Sequence, residues 1–346
     1  MVTSIGIVGL GLIGGSLARR AAASGYEVVA WNHTPRPYEQ AGHDGIRCVE
    51  TLADLAQAKP GLLILCNPLK AMPDVLARLA PVIDPAATTL SDVGSVKGMV
   101  REQAERAGLK ECYVGAHPMA GNEHSGFEAS DPALYDNALW AITVDGSTQY
   151  RRFLTVAQFI VNGLNNELIV LDDATHDRAA ALISHMPHAI ATAMVNELCA
   201  SPERNIAAAL AAGSWRDMTR VALTDPSRTR AMIDEDRTNV EALLRAMAAR
   251  LLAFAGDLHC GDESAIAAYF AQGQPFRDFK AHGALTQTMR ATSRDAPGGS
   301  AQWYKDTRDI DPARWQCELF ESARQGERIT CFLDNYRVAI HRQPLL

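Results

Sequence analysis

The chain has 346 residues, 47% hydrophobic and 21% charged, and its 33 Lys+Arg against 40 Asp+Glu give a net charge of −7. At roughly 100–200 residues per domain this is room for about two domains, each able to bury its own core. The acidic balance argues against nucleic acid as a partner, the hydrophobic fraction against a disordered chain, and apolar runs no longer than strand length against a membrane span of about 20 residues.

The first segment, Ser4-Ile-Gly-Ile-Val-Gly9, opens without a basic leader or a cleavage site. Seven cysteines are scattered at 48, 66, 112, 199, 260, 317 and 331 with no Cys-x-x-Cys, so reduced thiols and a cytoplasmic location are expected. Residues 4–9 have the Ile/Val content of a buried parallel strand. Gly9-Leu-Gly-Leu-Ile-Gly14 follows, then a helical run over 17–23 that Gly25 stops. Strands are predicted at 26–31, 61–66 and 88–93, and helices at 69–79 and 96–107. Alternation of this kind predicts a doubly wound, mainly parallel α/β sheet.

A G-x-G-x-x-G string alone is weak. Between a strand and a helix it predicts a dinucleotide site, because glycines allow a tight turn and the helix N-terminus faces a pyrophosphate. Gly9, Gly11, Leu12, Ile13 and Gly14 are therefore cofactor-binding candidates. The second strand ends in Asn32-His33-Thr34-Pro35-Arg36, where NAD sites usually carry an acid. A neutral Asn32 with Thr34, and Arg36 to pair with a phosphate dianion, favours NADP, with NAD as the alternative if Arg36 is only a solvated loop cation. Cys66, Asn67 and Pro68, at the carboxyl end of the 61–66 strand, complete the cofactor set.

Two further segments follow strand ends. In Asp92-Val-Gly94-Ser95-Val-Lys97, Ser95 is either a helix cap or a polar group facing the ligand. In Gly115-Ala-His117-Pro118-Met-Ala-Gly121, His117 ends a strand beside the expected nicotinamide. It is either a structural histidine or a base whose pKa suits proton abstraction from a hydroxyl.

The second half reads as helical. One run over 173–198 carries Ser184-His185-Met-Pro187-His188, and Pro187 should kink it and open carbonyls near the histidines. Arg216 and Arg220 share one face if their stretch is helical, as a solvated acid-paired pair or as an anion clamp. His259-Cys260, with acids nearby, lacks ligand spacing and reads as a loop, so no metal site is expected.

Taken in this order, the Gly-rich turn, Gly94-Ser95-Val96-Lys97, His117-Pro-Met-Ala-Gly121, Ser184-His185-Met-Pro187-His188 and Arg216-Asp-Met-Thr-Arg220 resemble the prephenate/arogenate dehydrogenase family. The resemblance covers roughly residues 4–245. It implies a Rossmann-type α/β N-terminal domain (1–172), an all-α dimerisation domain (173–292) and a C-terminal extension (293–346) after the linker-like stretch 293–300. It implies oxidative decarboxylation of prephenate or arogenate, His117 as catalytic base, and Ser95 as the serine that orients substrate and histidine. His188 and Ser184 would lie near the substrate and Arg220 would grip the ring carboxylate. Glu123 would pair with that arginine, and Lys97 and Arg216 would supply further cations for an anionic substrate. A homodimer is implied, since apolar helices over 173–255 would leave exposed patches in a monomer. The tail is too short for a complete small-molecule-sensing domain and is expected to be a packing appendage of the dimer. A β-hydroxyacid dehydrogenase or a non-catalytic NADP sensor are the competing readings, and the sequence does not divide prephenate from arogenate.

Overall fold

The structure is a computed structural model that describes residues 2–122, 124–281 and 305–342. Glu123 and the linker-like stretch 293–300 lie outside the described residues.

Six parallel strands come first: β1 (Ser4–Val8), β2 (Glu27–Trp31), β3 (Arg47–Cys48), β4 (Leu62–Leu65), β5 (Thr89–Asp92) and β6 (Tyr113–Pro118). They stand in the order β3-β2-β1-β4-β5-β6, so the direction of winding reverses at β1. Helices α1 (Leu12–Ala23), α2 (Tyr38–His43), α3 (Leu52–Gln57), α4 (Met72–Leu79) and α5 (Gly98–Arg106) connect them. Successive side chains of one strand supply opposite faces. Ile5, Ile7, Val28, Ala30, Leu62 and Ile64 pack with Leu17 and Ala21 of α1. Val8, Val29, Leu63 and Leu65 pack with Leu52, Leu76 and Val100 from α3, α4 and α5. Both faces are buried, which is why these strands read as unbroken apolar runs rather than alternating ones.

Beyond β6 the sheet turns mixed. β7 (Leu139–Thr143) runs antiparallel to β6, α6 (Tyr150–Gln158) crosses over, and β8 (Glu167–Leu171) returns parallel to β7. The same sheet then takes up the tail. Its strands β9 (Lys305–Asp309), β10 (Glu327–Phe332) and β11 (Arg337–Arg342) extend it in the order β8-β10-β11-β9, and α14 (Trp315–Arg324) covers one face. Phe153 of α6 stacks on Trp315 with ring centroids 4.8 Å apart, and Tyr150 stacks on Tyr336 at 5.3 Å. Glu327, buried, accepts from Ser322 Oγ at 2.7 Å and from Arg342 at 2.6 Å. The expectation of an appendage on the dimer is therefore corrected: residues 305–342 complete the sheet and core of the nucleotide-binding unit.

The helical part begins with α7 (Asp173–Ala180), a π-helical turn at Ala181–His185, and α8 (Met186–Ala200). Pro187 sits in the first turn of α8, so the expected kink is taken up by that widened turn just before it. Then come α9 (Arg204–Leu210), α10 (Gly213–Thr219), a 3₁₀ turn at Arg220–Leu223, α11 (Pro226–Glu235), α12 (Arg237–Cys260) and α13 (Glu263–Ala271). His259 and Cys260 close α12 instead of forming a loop, with Gly261 in the left-handed region at φ 64°. Of the 24 residues of α12 only Val240 is buried, while Leu251, Leu252 and Leu258 are exposed with Ile206, Leu210, Leu223 and Phe270 elsewhere in this part. A single copy leaves these helices with apolar faces uncovered.

Candidate active site

The crevice at the carboxyl ends of β1 and β4 is built for close backbone approach. Gly9 turns the chain at φ 98°, and a Cβ on Gly14 would come within 2.0 Å of the Gly9 carbonyl oxygen. A Cβ on Gly11 would meet nothing within 4 Å, so that glycine faces open space. No side chain caps α1, leaving the amides of its first turn, at Leu12 and Ile13, directed outward. Beside them the buried Asn67 Oδ1 has no hydrogen-bond partner among the described residues. Unpaired amides at a helix N-terminus, an open glycine and an orphaned amide oxygen fit the pyrophosphate and amide groups of a nicotinamide dinucleotide. Cys66 and Pro68 flank Asn67, and burial pushes the Cys66 thiol up, so it stays neutral.

Asn32 departs from its expected role. Its Oδ1 accepts from Leu10 N at 2.9 Å and its Nδ2 donates to the Thr34 carbonyl at 2.9 Å. The amide thus ties the end of β2 to the glycine turn rather than standing free for a ribose. His33 and Thr34 are exposed. Arg36 is 81% exposed and pairs with Glu128 at 3.1 Å.

Further along the sheet, His117 lies near the end of β6, half-buried. Its Nδ1 is 2.9 Å from His176 Nε2. His176 Nδ1 is in turn 2.8 Å from Asp177 Oδ1. Asp177 also accepts the backbone N–H of Lys97 at 2.7 Å and of Gly98 at 2.9 Å, capping the start of α5. Burial, helped by the charges of Lys97 and His185, holds the His117 imidazole well below its usual pKa, so it is neutral at physiological pH. The sequence reading missed His176 and Asp177. A His-Asp pair in the first turns of a helix that follows a strand end was the signal available for them.

Lys97 requires a correction. Its side chain is 0% exposed, with Nζ donating to Asp92 Oδ2 and, at 2.9 Å, to the Ala116 carbonyl. A cation this enclosed does not reach a substrate; it neutralises Asp92, which also accepts from Tyr113 OH at 2.8 Å and Gly94 N at 2.8 Å. Ser95 does not cap α5, since Asp177 does. Ser95 is half-buried, and its hydroxyl bonds to no described residue.

On the helical side, His185 is buried and paired with Asp236 at 2.9 Å, a structural arrangement that Asn239 completes by donating to Asp236 at 2.7 Å. His188 is half-buried, and its Nδ1–H donates to the Ser184 carbonyl at 2.9 Å, one turn earlier. In the neutral ring this leaves Nε2 of His188 as the acceptor. The Ser184 hydroxyl forms no bond to a described residue. Arg216 on α10 and Arg220 at the following 3₁₀ turn lie where the chain packs on α8. Both are exposed and neither pairs with an acid among the described residues, so the acid-paired alternative does not hold. Arg228 of α11 donates to the His124 carbonyl at 3.2 Å, joining the loop after His117 to the helical part. Among the described residues no cluster of His, Cys, Asp or Glu could hold a metal, and no helix is long and apolar enough to cross a membrane.

Comparison with known proteins agrees with this geometry. Residues 22–170 match the family model for the nucleotide-binding domain of prephenate dehydrogenase, and residues 172–272 match that for its dimerization domain. A prephenate dehydrogenase of Lactococcus lactis subsp. cremoris is 30% identical over 63% of this chain, which spans 61% of that protein's length. A cyclohexadienyl dehydrogenase of Zymomonas mobilis is 28% identical over 64% of this chain and 77% of its own. The crystal structure of prephenate dehydrogenase from A. aeolicus, in complex with hydroxyphenyl propionate and NAD+, superposes with a TM-score of 0.73 at 25% identity, covering 80% of this chain and 98% of that one. Two family models matched in order, one on strands β2 to β8 of the sheet and one on the helices that carry His188 and Arg220, establish that the chain belongs to the prephenate dehydrogenase family.

Proposed function

We propose that this protein catalyses the oxidative decarboxylation of prephenate to 4-hydroxyphenylpyruvate, with NADP+ as the preferred acceptor. The observation that carries this reading is a neutral His117 beside the dinucleotide crevice, in a chain whose relatives are named for this reaction. When bound, the nicotinamide accepts the hydride from the ring carbon that bears the hydroxyl. His117 Nε2 takes the hydroxyl proton, so the O–H electron pair forms the carbonyl as the hydride departs. The ring carboxylate then leaves as CO₂, its bonding electrons aromatise the ring, and the ring oxygen takes its proton back from His117, which returns as the neutral base. Ser95, with its hydroxyl uncommitted, orients the substrate hydroxyl toward His117. His188 Nε2 lies toward the substrate side chain.

Arg220 grips the ring carboxylate and Arg216 adds positive potential, in a chain whose net charge is −7. A clamp that holds the carboxylate equally before and during CO₂ loss improves binding more than rate. Arg220→Ala is therefore expected to raise KM for prephenate by about 10–100-fold, as loss of a charged hydrogen bond does, with kcat changed much less. Steady-state kinetics check this, and an equal loss in kcat would mean that Arg220 acts in the transition state.

The preference for NADP rests on Arg36. Its partner Glu128 is 75% exposed, and a pair this open to water is worth little, so a phosphate dianion displaces it. Arg36→Ala should raise KM for NADP by about tenfold and leave KM for NAD within about twofold. Uncovered apolar helices support a homodimer, and seven unpaired cysteines support a reducing, cytoplasmic setting.

The test is absorbance at 340 nm with purified protein and prephenate or arogenate, each with NAD or NADP. Turnover with prephenate and NADP is expected. Signal with arogenate alone reassigns the substrate, and silence in all four combinations overturns the reading.

A further inference from the structure

We propose that Asp177, His176 and His117 form a directional hydrogen-bond relay that fixes His117 in the tautomer whose Nε2 is unprotonated and free to act as base. The inference deepens the functional reading above and rests on His117 being the proton acceptor.

With both imidazoles neutral, as the proposal requires, each link in the chain leaves one choice. Asp177 is fixed from the far side by the backbone N–H groups of Lys97 and Gly98, both donors, so its carboxylate acts as acceptor throughout. Burial works against that charge, yet the bonds from His176, Lys97 N and Gly98 N outweigh it and hold the Asp177 carboxyl below its usual range. His176 Nδ1 must then carry a hydrogen to donate to Asp177 across 2.8 Å. In a neutral imidazole the other nitrogen is a lone pair. His176 Nε2 therefore accepts, and the donor across 2.9 Å is His117 Nδ1–H. One nitrogen remains on His117, Nε2, and it holds a lone pair. Without such a partner an imidazole distributes its hydrogen over both nitrogens, and part of the population presents an N–H where a base is needed.

The placement of the pair follows from the fold. Asp172 caps α7, accepting Thr175 N at 2.8 Å, and this sets the first turns of α7 against the carboxyl end of β6. His176 and Asp177 are 3% and 7% exposed, so neither is available to touch a substrate; they are positioning residues. When His117 Nε2 receives the hydroxyl proton, the positive charge on its ring is stabilised through His176 by Asp177.

Two variants of the full chain and one measurement on the unaltered protein test the relay. In Asp177→Asn the amide oxygen can stay on Gly98 N while its NH₂ takes the place of Oδ1, donating to His176 Nδ1 and giving up the bond from Lys97 N. The direction of both bonds reverses, and His117 Nε2 becomes protonated. We expect kcat to fall by about 10²–10⁴-fold, the range set by loss of a correctly protonated base, with KM for both ligands within about threefold. His176→Phe uncouples the tautomers without imposing the wrong one, so kcat should fall by only about tenfold. A purely structural role predicts the opposite order, because a larger apolar ring that leaves the Asp177 carboxylate without its partner disturbs the interior more than an isosteric amide. Nitrogen-15 shifts of histidine-labelled protein read the tautomer directly, with Nδ1 of His117 protonated in the parent and Nε2 protonated in Asp177→Asn. A parent protein with Nε2 protonated overturns the relay whether or not the variants fold, and so does His176→Phe as inactive as Asp177→Asn. Expected tautomers in a protein that turns over neither substrate would overturn the functional reading and leave the relay standing. Turnover with the other tautomer would do the reverse.

Discussion

Replacing His117 by asparagine should lower kcat by about 10²–10⁴-fold while prephenate and cofactor bind nearly as before. Asparagine keeps a polar group at the end of β6 and still meets His176, but it has no basic lone pair for the hydroxyl proton. The pH profile carries a second expectation. Burial and the neighbouring charges of Lys97 and His185 disfavour the imidazolium, so the His117 pKa lies well below the usual 6.5. Activity is therefore retained as pH falls to 6.5, where an unperturbed histidine would be half protonated. It is lost only at lower pH, as the depressed pKa is crossed and the base becomes charged. The acid limb of kcat/KM should lie below 6.5 in the parent and vanish in His117→Asn. A limb at or above 6.5 would mean that another group is the base.

The second large effect falls on stability. Lys97→Met should destabilise the protein by about 3–5 kcal/mol, because removing one partner of an enclosed ion pair leaves the other charge stranded. Asp92 would keep only Tyr113 OH and Gly94 N around a carboxylate that is 0% exposed. Thermal unfolding should shift down by roughly 4–7 °C for 346 residues at about 2.1 cal/mol/K of unfolding entropy each. Adding Asp92→Asn to the same protein should recover part of that loss, since the stranded charge is then gone. The acid limb of the pH profile should also move up, because Lys97 is one of the charges that depresses the His117 pKa. An unchanged melting temperature with a raised KM would return Lys97 to the role of a substrate cation.

Much of the first half was legible in the sequence because local chemistry dictates it. Gly9, Gly11 and Gly14 leave few conformations open to the turn, and strands buried on both faces, such as Leu62–Leu65, must be apolar throughout. The same holds for the bend before Pro187. What escaped was set by partners distant in sequence. Lys97 has the composition of a surface cation, and only Asp92 and the Ala116 carbonyl, brought close by β5 and β6, make it an interior one. His176 and Asp177 sit 59 and 60 residues after His117, and nothing local announces that α7 ends up against β6. Asn32 was read for its charge, whereas its place is decided by the Leu10 N–H facing it. In the tail, β9 reads Lys305-Asp-Thr-Arg-Asp309, with no apolar alternation to mark a strand. It is a strand because β11 pairs with it along Lys305–Asp309.

That last pairing bears on how the chain comes to be folded. The helical residues from Asp173 to Ala271 are synthesised between β8 and the strands that cover β8's open edge. Until β10 arrives, the Leu168 edge is a template for other chains, and Phe153 lacks the indole of Trp315 that closes over it. The nascent dinucleotide domain therefore waits, half finished, for more than a hundred residues of translation. Contacts of such long separation form slowly, which makes this interval on the ribosome the period when the protein most needs protection from aggregation.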